Sequence, residues 1–266
     1  MDAKVRNDLA AHFGTIASEA GKAIMSVRAA APRIDRKVDG SPVSDADTRA
    51  EEIIGKRLEA LLPGVPMIAE ESFEAGTHGV QERFLLVDPL DGTREFITGS
   101  DEFTVNIALI EQGQPIVGCV YAPASEQMYV SGIAAYRTQL SAGDAAAGLS
   151  EMEMLATRPY PVEGLRALAS RSHLDAESEA LLRKLPVAER KLSGSSLKFC
   201  LIAQGDGDIY PRLAPTMEWD TAAGQAILTA AGGCVIGRDG LPLRYAKADA
   251  GFRNDGFVAW GRAPLR

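Results

Sequence analysis

Residues 83–96 form the most informative segment of the chain and read Arg83-Phe84-Leu85-Leu86-Val87-Asp88-Pro89-Leu90-Asp91-Gly92-Thr93-Arg94-Glu95-Phe96. The apolar run in its first half, bounded by turn residues, predicts a strand that is buried on both faces. Pro89 fixes its own φ and favours an extended backbone at Asp88, so the strand should deliver Asp88 and Asp91 into a loop at its end. Gly92 permits a tight turn there. Two carboxylates three residues apart suit Mg²⁺, although an ordinary acidic turn explains this segment alone equally well.

The composition is that of a globular protein with a full core. The chain has 266 residues, of which 46% are hydrophobic and 24% charged, with a formal net charge of −8. An acidic balance argues against a surface that coats nucleic acid. A small anionic substrate stays compatible with this charge, because a bound metal ion can reverse the sign of the local field.

The cysteines and the N-terminus indicate the compartment. Cys119, Cys200 and Cys234 are scattered in apolar surroundings without a C-x-x-C spacing, which predicts buried, reduced thiols. The first residues contain no apolar signal region, and no apolar run approaches the roughly 20 residues of a membrane span. We therefore expect a cytoplasmic protein without an integral membrane segment, and peripheral association with the inner face of the cell membrane stays open.

Hydrophobic periodicity predicts strands and helices in both halves of the chain. In the first half we expect helices over 9–27 and 45–62, a loop or loose hairpin over 37–44, strands over 67–69, 84–87 and 127–130, and a hairpin of 103–110 with 115–121. In the second half we expect strands over 165–169, 208–210, 234–236 and 257–260, and helices over 175–184, 195–204 and 219–231. This alternation predicts a layered, mixed α/β structure. Small and polar residues over 134–148 place a division near residue 140, into a metal-binding half over 1–140 and a substrate-recognition half over 141–266.

Four acids stand out because they lie at the ends of predicted elements. Glu70 follows one strand, Asp88 and Asp91 follow the next, and Asp220 lies near the start of the 219–231 helix. Together with the Leu90 carbonyl, they could form an oxygen cage for two or more Mg²⁺ ions. Taken alone, Asp220 is explained better as an acid that complements a helix dipole.

Asp47 has two interpretations. Ser44-Asp45-Ala46-Asp47 at the head of a helix resembles a capping box, with Asp in the position where Glu or Gln is preferred. Alternatively, Asp47 orients the Thr93 hydroxyl, which in turn takes a proton from an attacking water. The segment itself does not choose between them.

Taken together, the motifs resemble a known family. The inositol monophosphatase superfamily of lithium-sensitive, Mg²⁺-dependent phosphatases has the same order and spacing of the segments at 42–47 (Pro-Val-Ser-Asp-Ala-Asp), 69–72 (Ala-Glu-Glu-Ser), 87–93 (Val-Asp-Pro-Leu-Asp-Gly-Thr) and 218–224 (Glu-Trp-Asp-Thr-Ala-Ala-Gly). The segments 94–97, 102–107, 194–200 and 208–212 look like its CysQ branch, the 3′(2′),5′-bisphosphate nucleotidases. Arg94 is a departure, since Lys is usual there, and the geometry of its contacts need not be kept.

The resemblance implies a layered α-β-α-β-α sandwich, two or three Mg²⁺ ions, and often a homodimer. It implies metal ligation by Glu70, Asp88, the Leu90 carbonyl, Asp91 and Asp220, and an Asp47–Thr93 dyad that acts on the water. Substrate contacts are expected from Glu70, Leu90, Asp91, Gly92, Thr93 and Asp220, with the Gly92 and Thr93 amides on the scissile phosphate. Ser195, Lys198 and Arg212 would bind a second phosphate, and His173 would lie near the base or ribose. Lys198 and Arg212 as solvated surface charges, and His173 as a structural histidine, are the competing interpretations.

These features favour hydrolysis of the 3′-phosphate of adenosine 3′,5′-bisphosphate, to AMP and phosphate, by in-line attack of a Mg²⁺-activated water. Such a reaction would clear a by-product of sulfate activation and sulfotransfer. The alternative is the same site acting on inositol 1-phosphate or another small sugar phosphate. A non-catalytic sensor would need a broken ligand set, whereas all six acids and hydroxyls of the set are present. The expected partner is a small phosphorylated nucleotide, and no nucleic acid.

Overall fold

The computed structural model describes residues 1–30, 33–36, 42–74, 81–170 and 175–263. Within these ranges there are six α-helices: α1 (Ala3–Ala29), α2 (Asp45–Leu61), α3 (Thr93–Ile97), α4 (Ala176–Arg183), α5 (Leu197–Ala203) and α6 (Ala222–Ala230). Short 3₁₀ turns lie at Leu149–Glu151 and Ala248–Ala250.

Sixteen strands lie in the same ranges: β1 (Ile34–Arg36), β2 (Pro42–Ser44), β3 (Met67–Ala69), β4 (Arg83–Asp91), β5 (Thr104–Glu111), β6 (Gln114–Ala122), β7 (Gln127–Ser131), β8 (Ala135–Gln139), β9 (Glu153–Leu155), β10 (Leu165–Ser170), β11 (Val187–Ser193), β12 (Ile209–Arg212), β13 (Thr216–Met217), β14 (Cys234–Gly237), β15 (Arg253–Asn254) and β16 (Phe257–Trp260). Strands β3 to β9 form a seven-stranded sheet in chain order, and a five-stranded sheet has the order β11-β10-β12-β16-β14. The pairs β1-β2 and β13-β15 are small antiparallel ribbons.

The two large sheets and the helices stack in five layers. Helices α1 and α2 pack on one face of the seven-stranded sheet in one apolar core. Helices α5 and α6 fill the space between its other face and the five-stranded sheet in a second core. Leu182 of α4 packs on the outer face of the five-stranded sheet. This arrangement confirms the expected α-β-α-β-α sandwich.

Strand β4 is buried on both faces, as its apolar run predicts. Leu85 and Val87 point into the core with α1 and α2, whereas Phe84 and Leu86 point into the core with α5 and α6. β4 runs parallel to β3 and antiparallel to β5. β4 extends through Asp91, so the prediction that Asp88 and Asp91 lie in a loop after the strand is wrong. Its pairing with β5 shifts register between these two acids, which marks an irregularity in the strand there.

Most predicted elements are present, with shifted ends. Of the predicted loop or loose hairpin over 37–44, the structure describes only 42–44, which form β2 and pair with β1, while residues 37–41 lie outside the described part of the chain. Cys119 and Cys200 are buried and Cys234 is half-buried, and all three are free. β11 was not predicted. β8 and β9 extend the first sheet to Leu155, and the division into 1–140 and 141–266 stays a prediction.

None of the helices in the described ranges combines the length and the apolar character that a membrane span needs.

Candidate active site

A cavity of ≈ 580 Å³ lies between the C-terminal end of β4 and residues of the five-stranded sheet. Its walls contain ten of the residues that the sequence predicts for the site: Glu70, Asp88, Leu90, Asp91, Gly92, Thr93, Ser195, Lys198, Arg212 and Asp220. The predicted residue His173 lies outside the described part of the chain. Residues from both halves of the sequence therefore meet at one cavity.

Three carboxylates converge at one end of this cavity. One oxygen from each of Glu70, Asp88 and Asp220 lies within 4.8 Å of the other two. Because β3 and β4 are parallel neighbours, Glu70 and Asp88 leave the sheet at the same edge. Burial raises the pKa of Asp88 well above its usual range, and the charges of Glu70, Asp91 and Asp220 raise it further. Such a cluster is costly unless a cation offsets its charge, and its oxygen donors are those that Mg²⁺ prefers.

Asp220 reaches the cluster from a loop and not from a helix. Helix α6 begins at Ala222 with Thr221 as its N-cap residue, so the predicted start at Trp219 is wrong. The Asp220 carboxylate instead accepts hydrogen bonds from the Met217 amide (3.1 Å) and from the Thr216 hydroxyl. The interpretation of Asp220 as an acid in the first helical turn is therefore wrong, because local bonds hold its carboxylate in the cluster.

Asp91 is near this cluster but is held by a different set of bonds. Its Oδ2 accepts from the Ser196 amide at 2.6 Å, from the Ser196 hydroxyl at 2.8 Å and from Asn106 Nδ2 at 3.5 Å. Burial and the charge of Asp220 raise the pKa of Asp91, while Lys198 and the bond from Ser196 lower it. The role of Asp91 as a metal ligand stays a prediction.

Sequence reasoning missed Ser196 and Asn106. Asn106 Nδ2 donates to Ser196 Oγ at 2.8 Å, and Ser196 Oγ in turn reaches the Asp220 carbonyl at 2.8 Å. These bonds connect β5 with the loop before α5 and with the loop before α6, and Ser196 bonds to both Asp91 and the Asp220 carbonyl. Both residues lie in the motif segments 102–107 and 194–200. The available signal in the sequence was that Asn106 is a polar residue within a predicted apolar strand, and the structure shows that both residues are buried.

The Asp47–Thr93 pair is formed in the structure. Thr93 Oγ1 donates to Asp47 Oδ1 at 3.2 Å and also lies 3.2 Å from the Leu90 carbonyl. The other Asp47 oxygen accepts from the amide and hydroxyl of Ser44, at 2.8 and 2.7 Å, as a capping box does. The capping box is therefore confirmed, and the hydrogen bond to Thr93 is formed by the other oxygen, while the role of this pair in proton transfer stays a prediction. Burial raises the pKa of Asp47, and its hydrogen bonds partly offset this rise.

Gly92 makes the turn between β4 and α3. Its φ is +95°, a left-handed conformation that side chains rarely adopt. A Cβ atom there would lie 3.2 Å from the Glu102 carbonyl oxygen. The turn brings Thr93 to the first position of α3, facing the cavity and Asp47.

Lys198 lines the same cavity as the acids and is buried, so its interpretation as a solvated surface charge is wrong. Its Nζ donates to the carbonyls of Ser195 at 2.5 Å and Ser193 at 3.3 Å. Burial lowers the pKa of Lys198 to about 8, and the charge of Asp91 raises it in part. The ammonium group also lies 4.9 Å from the centre of the Tyr210 ring.

Two polar groups beside Lys198 have unmet hydrogen-bonding capacity. Within the described residues, the buried Oγ of Ser195 and the buried Nε of Arg212 have no hydrogen-bond partner. Buried polar atoms without a partner are rare and costly in folded proteins. Both residues line the cavity, so their unmet hydrogen-bonding capacity lies beside the space in which a ligand would bind.

Comparison with known proteins gives a consistent result. The profile of the Inositol monophosphatase family matches residues 5–258. The 3′(2′),5′-bisphosphate nucleotidase CysQ of Salmonella typhimurium is 43% identical over 248 residues, which cover 91% of this chain and 95% of that protein. The protein of the same name from Aggregatibacter actinomycetemcomitans is 31% identical over 91% of this chain and 89% of its own length.

Solved structures show the same fold. The crystal structure of CysQ from Bacteroides thetaiotaomicron, described as a bacterial member of the inositol monophosphatase family, matches with a TM-score of 0.81 at 37% identity over 96% of this chain and 97% of that one. The inositol monophosphatase of Anabaena matches with a TM-score of 0.72 at 23% identity, over 96% and 91% of the two chains.

Proposed function

This chain belongs to the inositol monophosphatase family, and on that basis we propose that it hydrolyses the 3′-phosphate of adenosine 3′,5′-bisphosphate to AMP and phosphate. The relatives that are 40–43% identical to it carry the name 3′(2′),5′-bisphosphate nucleotidase. The proposal brings their activity to this chain as a Mg²⁺-dependent phosphomonoesterase.

One observation supports this substrate above others. A single cavity is lined by the carboxylates Glu70, Asp88 and Asp220 and also by Ser195, Lys198 and Arg212. The carboxylates suit a phosphate bound through metal ions, and the second group suits a phosphate bound directly by cations and a hydroxyl. A substrate with two phosphates offers one phosphate to each group, whereas inositol 1-phosphate has a single phosphate.

The residues that would hold Mg²⁺ are Glu70, Asp88, Asp91, Asp220 and the Leu90 carbonyl, and we propose two or three ions. When bound, Mg²⁺ supplies positive charge that offsets the phosphate oxygens and favours ionisation of water near neutral pH. The raised pKa of Asp88 and the 4.8 Å spacing of the carboxylates fit a site that is completed by cations. The family is generally Mg²⁺-dependent, in agreement with this fit.

The proton path runs through Thr93 and Asp47. The Thr93 hydroxyl donates to Asp47 Oδ1, so Thr93 Oγ1 can accept a proton from the attacking water as its own proton passes to the carboxylate. The water oxygen bonds to phosphorus, the bond from phosphorus to the 3′-oxygen breaks, and the 3′-oxygen leaves as a hydroxyl after taking a proton from solvent. The raised pKa of Asp47 suits a proton acceptor. The Gly92 and Thr93 amides would hold the phosphate during this exchange.

The test compares phosphate release from adenosine 3′,5′-bisphosphate and from inositol 1-phosphate, each with Mg²⁺ and with or without Li⁺. We expect a much lower KM for the bisphosphate, and inhibition by Li⁺, which is typical of the family. Lys198→Met should raise the KM for the bisphosphate by roughly 10- to 100-fold, since a charge-assisted bond is lost, and leave inositol 1-phosphate unaffected. Lys191→Met, at an exposed lysine of β11, is the matched control. Preference for inositol 1-phosphate would overturn the substrate assignment.

A homodimer, a cytoplasmic location and a place of His173 near the base stay predictions.

A further inference from the structure

The loop before α5 carries Ser195, one of the three residues proposed to bind the second phosphate, and is held in an unusual conformation. Ser195 has a φ of +44°, which non-glycine residues seldom adopt. In this conformation the Ser195 carbonyl meets Lys198 Nζ at 2.5 Å, while its Oγ is buried without a partner at the cavity. Such a backbone persists only where neighbouring groups constrain it.

Glu102 supplies such a constraint from the other half of the chain. Its Oε2 accepts a hydrogen bond from the Gly194 amide at 2.9 Å, 92 residues away. The two residues are closely packed, since a Cβ atom on Gly194 would lie 2.7 Å from the Glu102 carbonyl oxygen and 2.9 Å from its Cβ. The carboxylate therefore holds the Ser193–Gly194 peptide, directly before the residue pair Gly194-Ser195.

Glu102 is itself held in place by helix α1. Arg28, in the last turn of α1, donates to the carbonyls of Gly99 and Ser100 at 2.8 and 3.1 Å and pairs with Asp101 at 2.8 Å. Its guanidinium lies 5.2 Å from the centre of the Phe103 ring. The segment 99–103 is thus anchored on both sides of Glu102, so its carboxylate is a firm acceptor for Gly194.

We propose that Glu102 is a positioning residue for the second phosphate of the substrate. Through the Gly194 amide it constrains the backbone at Ser195, which places Ser195 in the cavity wall and its carbonyl against Lys198. Glu102 does not belong to the carboxylate cluster of Glu70, Asp88 and Asp220, and it is not among the residues that line the cavity. Its carboxylate therefore acts on substrate selection and not on the hydrolysis step. This inference deepens the proposed function and rests on it.

The experiment compares adenosine 3′,5′-bisphosphate with adenosine 3′-monophosphate, which lacks the second phosphate. Glu102→Leu keeps the size of the side chain and removes the acceptor. We expect its KM for the bisphosphate to rise roughly tenfold, with kcat/KM for the monophosphate within about twofold of wild type. Glu102→Gln retains an acceptor oxygen and should restore most of the affinity. Glu102→Asp shortens the side chain by one methylene and so moves the acceptor away from the Gly194 amide. This variant should raise the KM for the bisphosphate and not for the monophosphate, and it serves as the test if Glu102→Leu folds poorly.

The outcomes separate this inference from the proposed function. A wild-type enzyme that does not prefer the bisphosphate over the monophosphate refutes the proposed function. If the wild type shows that preference and the Leu and Asp variants keep it, or lose activity on both substrates in equal proportion, the role assigned to Glu102 is wrong.

Discussion

Replacing Asp88 with asparagine removes one negative charge from the buried carboxylate cluster and should stabilise the protein in the absence of metal. The Asp88 side chain is almost fully buried, and its nearest oxygen lies within 4.8 Å of oxygens on Glu70 and Asp220. Asparagine is close in size and keeps the oxygen that accepts from the Leu90 amide at 3.0 Å. The substitution therefore changes charge with little change in packing.

The size of the effect follows from the spacing of the charges. Two unit charges at 4.8 Å repel by about 3 kcal/mol at an effective dielectric constant of ~20. The pKa of Asp88 is raised by its burial and by this repulsion, so protonation of Asp88 relieves part of the repulsion as the pH falls through that pKa. We therefore expect a gain of about 1–2 kcal/mol without metal, which corresponds to a rise in Tm of roughly 2–8 °C for a chain of this length.

The pH dependence has a definite sign. A carboxyl whose folded-state pKa is raised contributes stability below its unfolded-state pKa, and this contribution is lost as the pH rises through the folded-state pKa. Wild type without metal should therefore lose stability between pH 4 and the raised pKa of Asp88. The advantage of Asp88→Asn should be larger at pH 8 than at pH 5.

Thermal unfolding in EDTA and in Mg²⁺ measures these effects. Wild type should gain stability on addition of Mg²⁺, because a ligand that binds the folded state stabilises it, and Asp88→Asn should gain much less. Asp208→Asn is the matched control, since Asp208 is a buried acid paired with Arg158 at 2.6 Å outside the cluster. It should lower the Tm equally in both conditions. A destabilised Asp88→Asn protein in EDTA, or one with the full Mg²⁺ response, would refute the reasoning.

Three further predictions concern the Asp47–Thr93 dyad, Lys198 and the packing of the core. Thr93→Val should lower kcat by roughly 10²- to 10⁴-fold with little change in KM, whereas Thr93→Ser should retain activity; steady-state kinetics decides, and an active Val variant excludes the proposed proton path. Since burial lowers the pKa of Lys198 to about 8, the KM for the bisphosphate should rise above that pH in wild type, while Lys198→Met should give a high KM that is flat from pH 7 to 9. Gly118→Ala places a Cβ atom 2.6 Å from the Ala223 carbonyl oxygen and should cost about 1–3 kcal/mol in thermal unfolding, whereas Gly148→Ala, with its nearest atom at 3.7 Å, should be neutral.

The elements that the sequence predicted well are those with a simple local cause. The apolar run of β4 has to be buried on both faces, and Asp88 and Asp91 follow it at the C-terminal end of the strand. β3 is short but apolar, so its end at Glu70 was also predictable. β11 was missed because it is an exposed edge strand over much of its length, and its polar residues show neither helical nor alternating periodicity.

The parts of the site that were missed depend on contacts between distant segments. Ser196 contacts Asp91 across 105 residues and Asn106 across 90, and no local pattern records either bond. The burial of Lys198 likewise follows from the packing of α5 between the two sheets. Asp220 was placed in a helix because the residues around it favour one, whereas its bonds to Thr216 and Met217 delay the start of α6.

The most direct test of the central claim is to identify the nucleotide product of adenosine 3′,5′-bisphosphate, with Mg²⁺ and with a chelator. The proposed function requires that the 3′-phosphate lies at the carboxylate cluster and the 5′-phosphate at Lys198 and Arg212, which all line the one cavity. The product should therefore be adenosine 5′-monophosphate, formed together with one equivalent of phosphate only when Mg²⁺ is present. Formation of adenosine 3′-monophosphate, or equal hydrolysis in the presence of the chelator, would contradict the account.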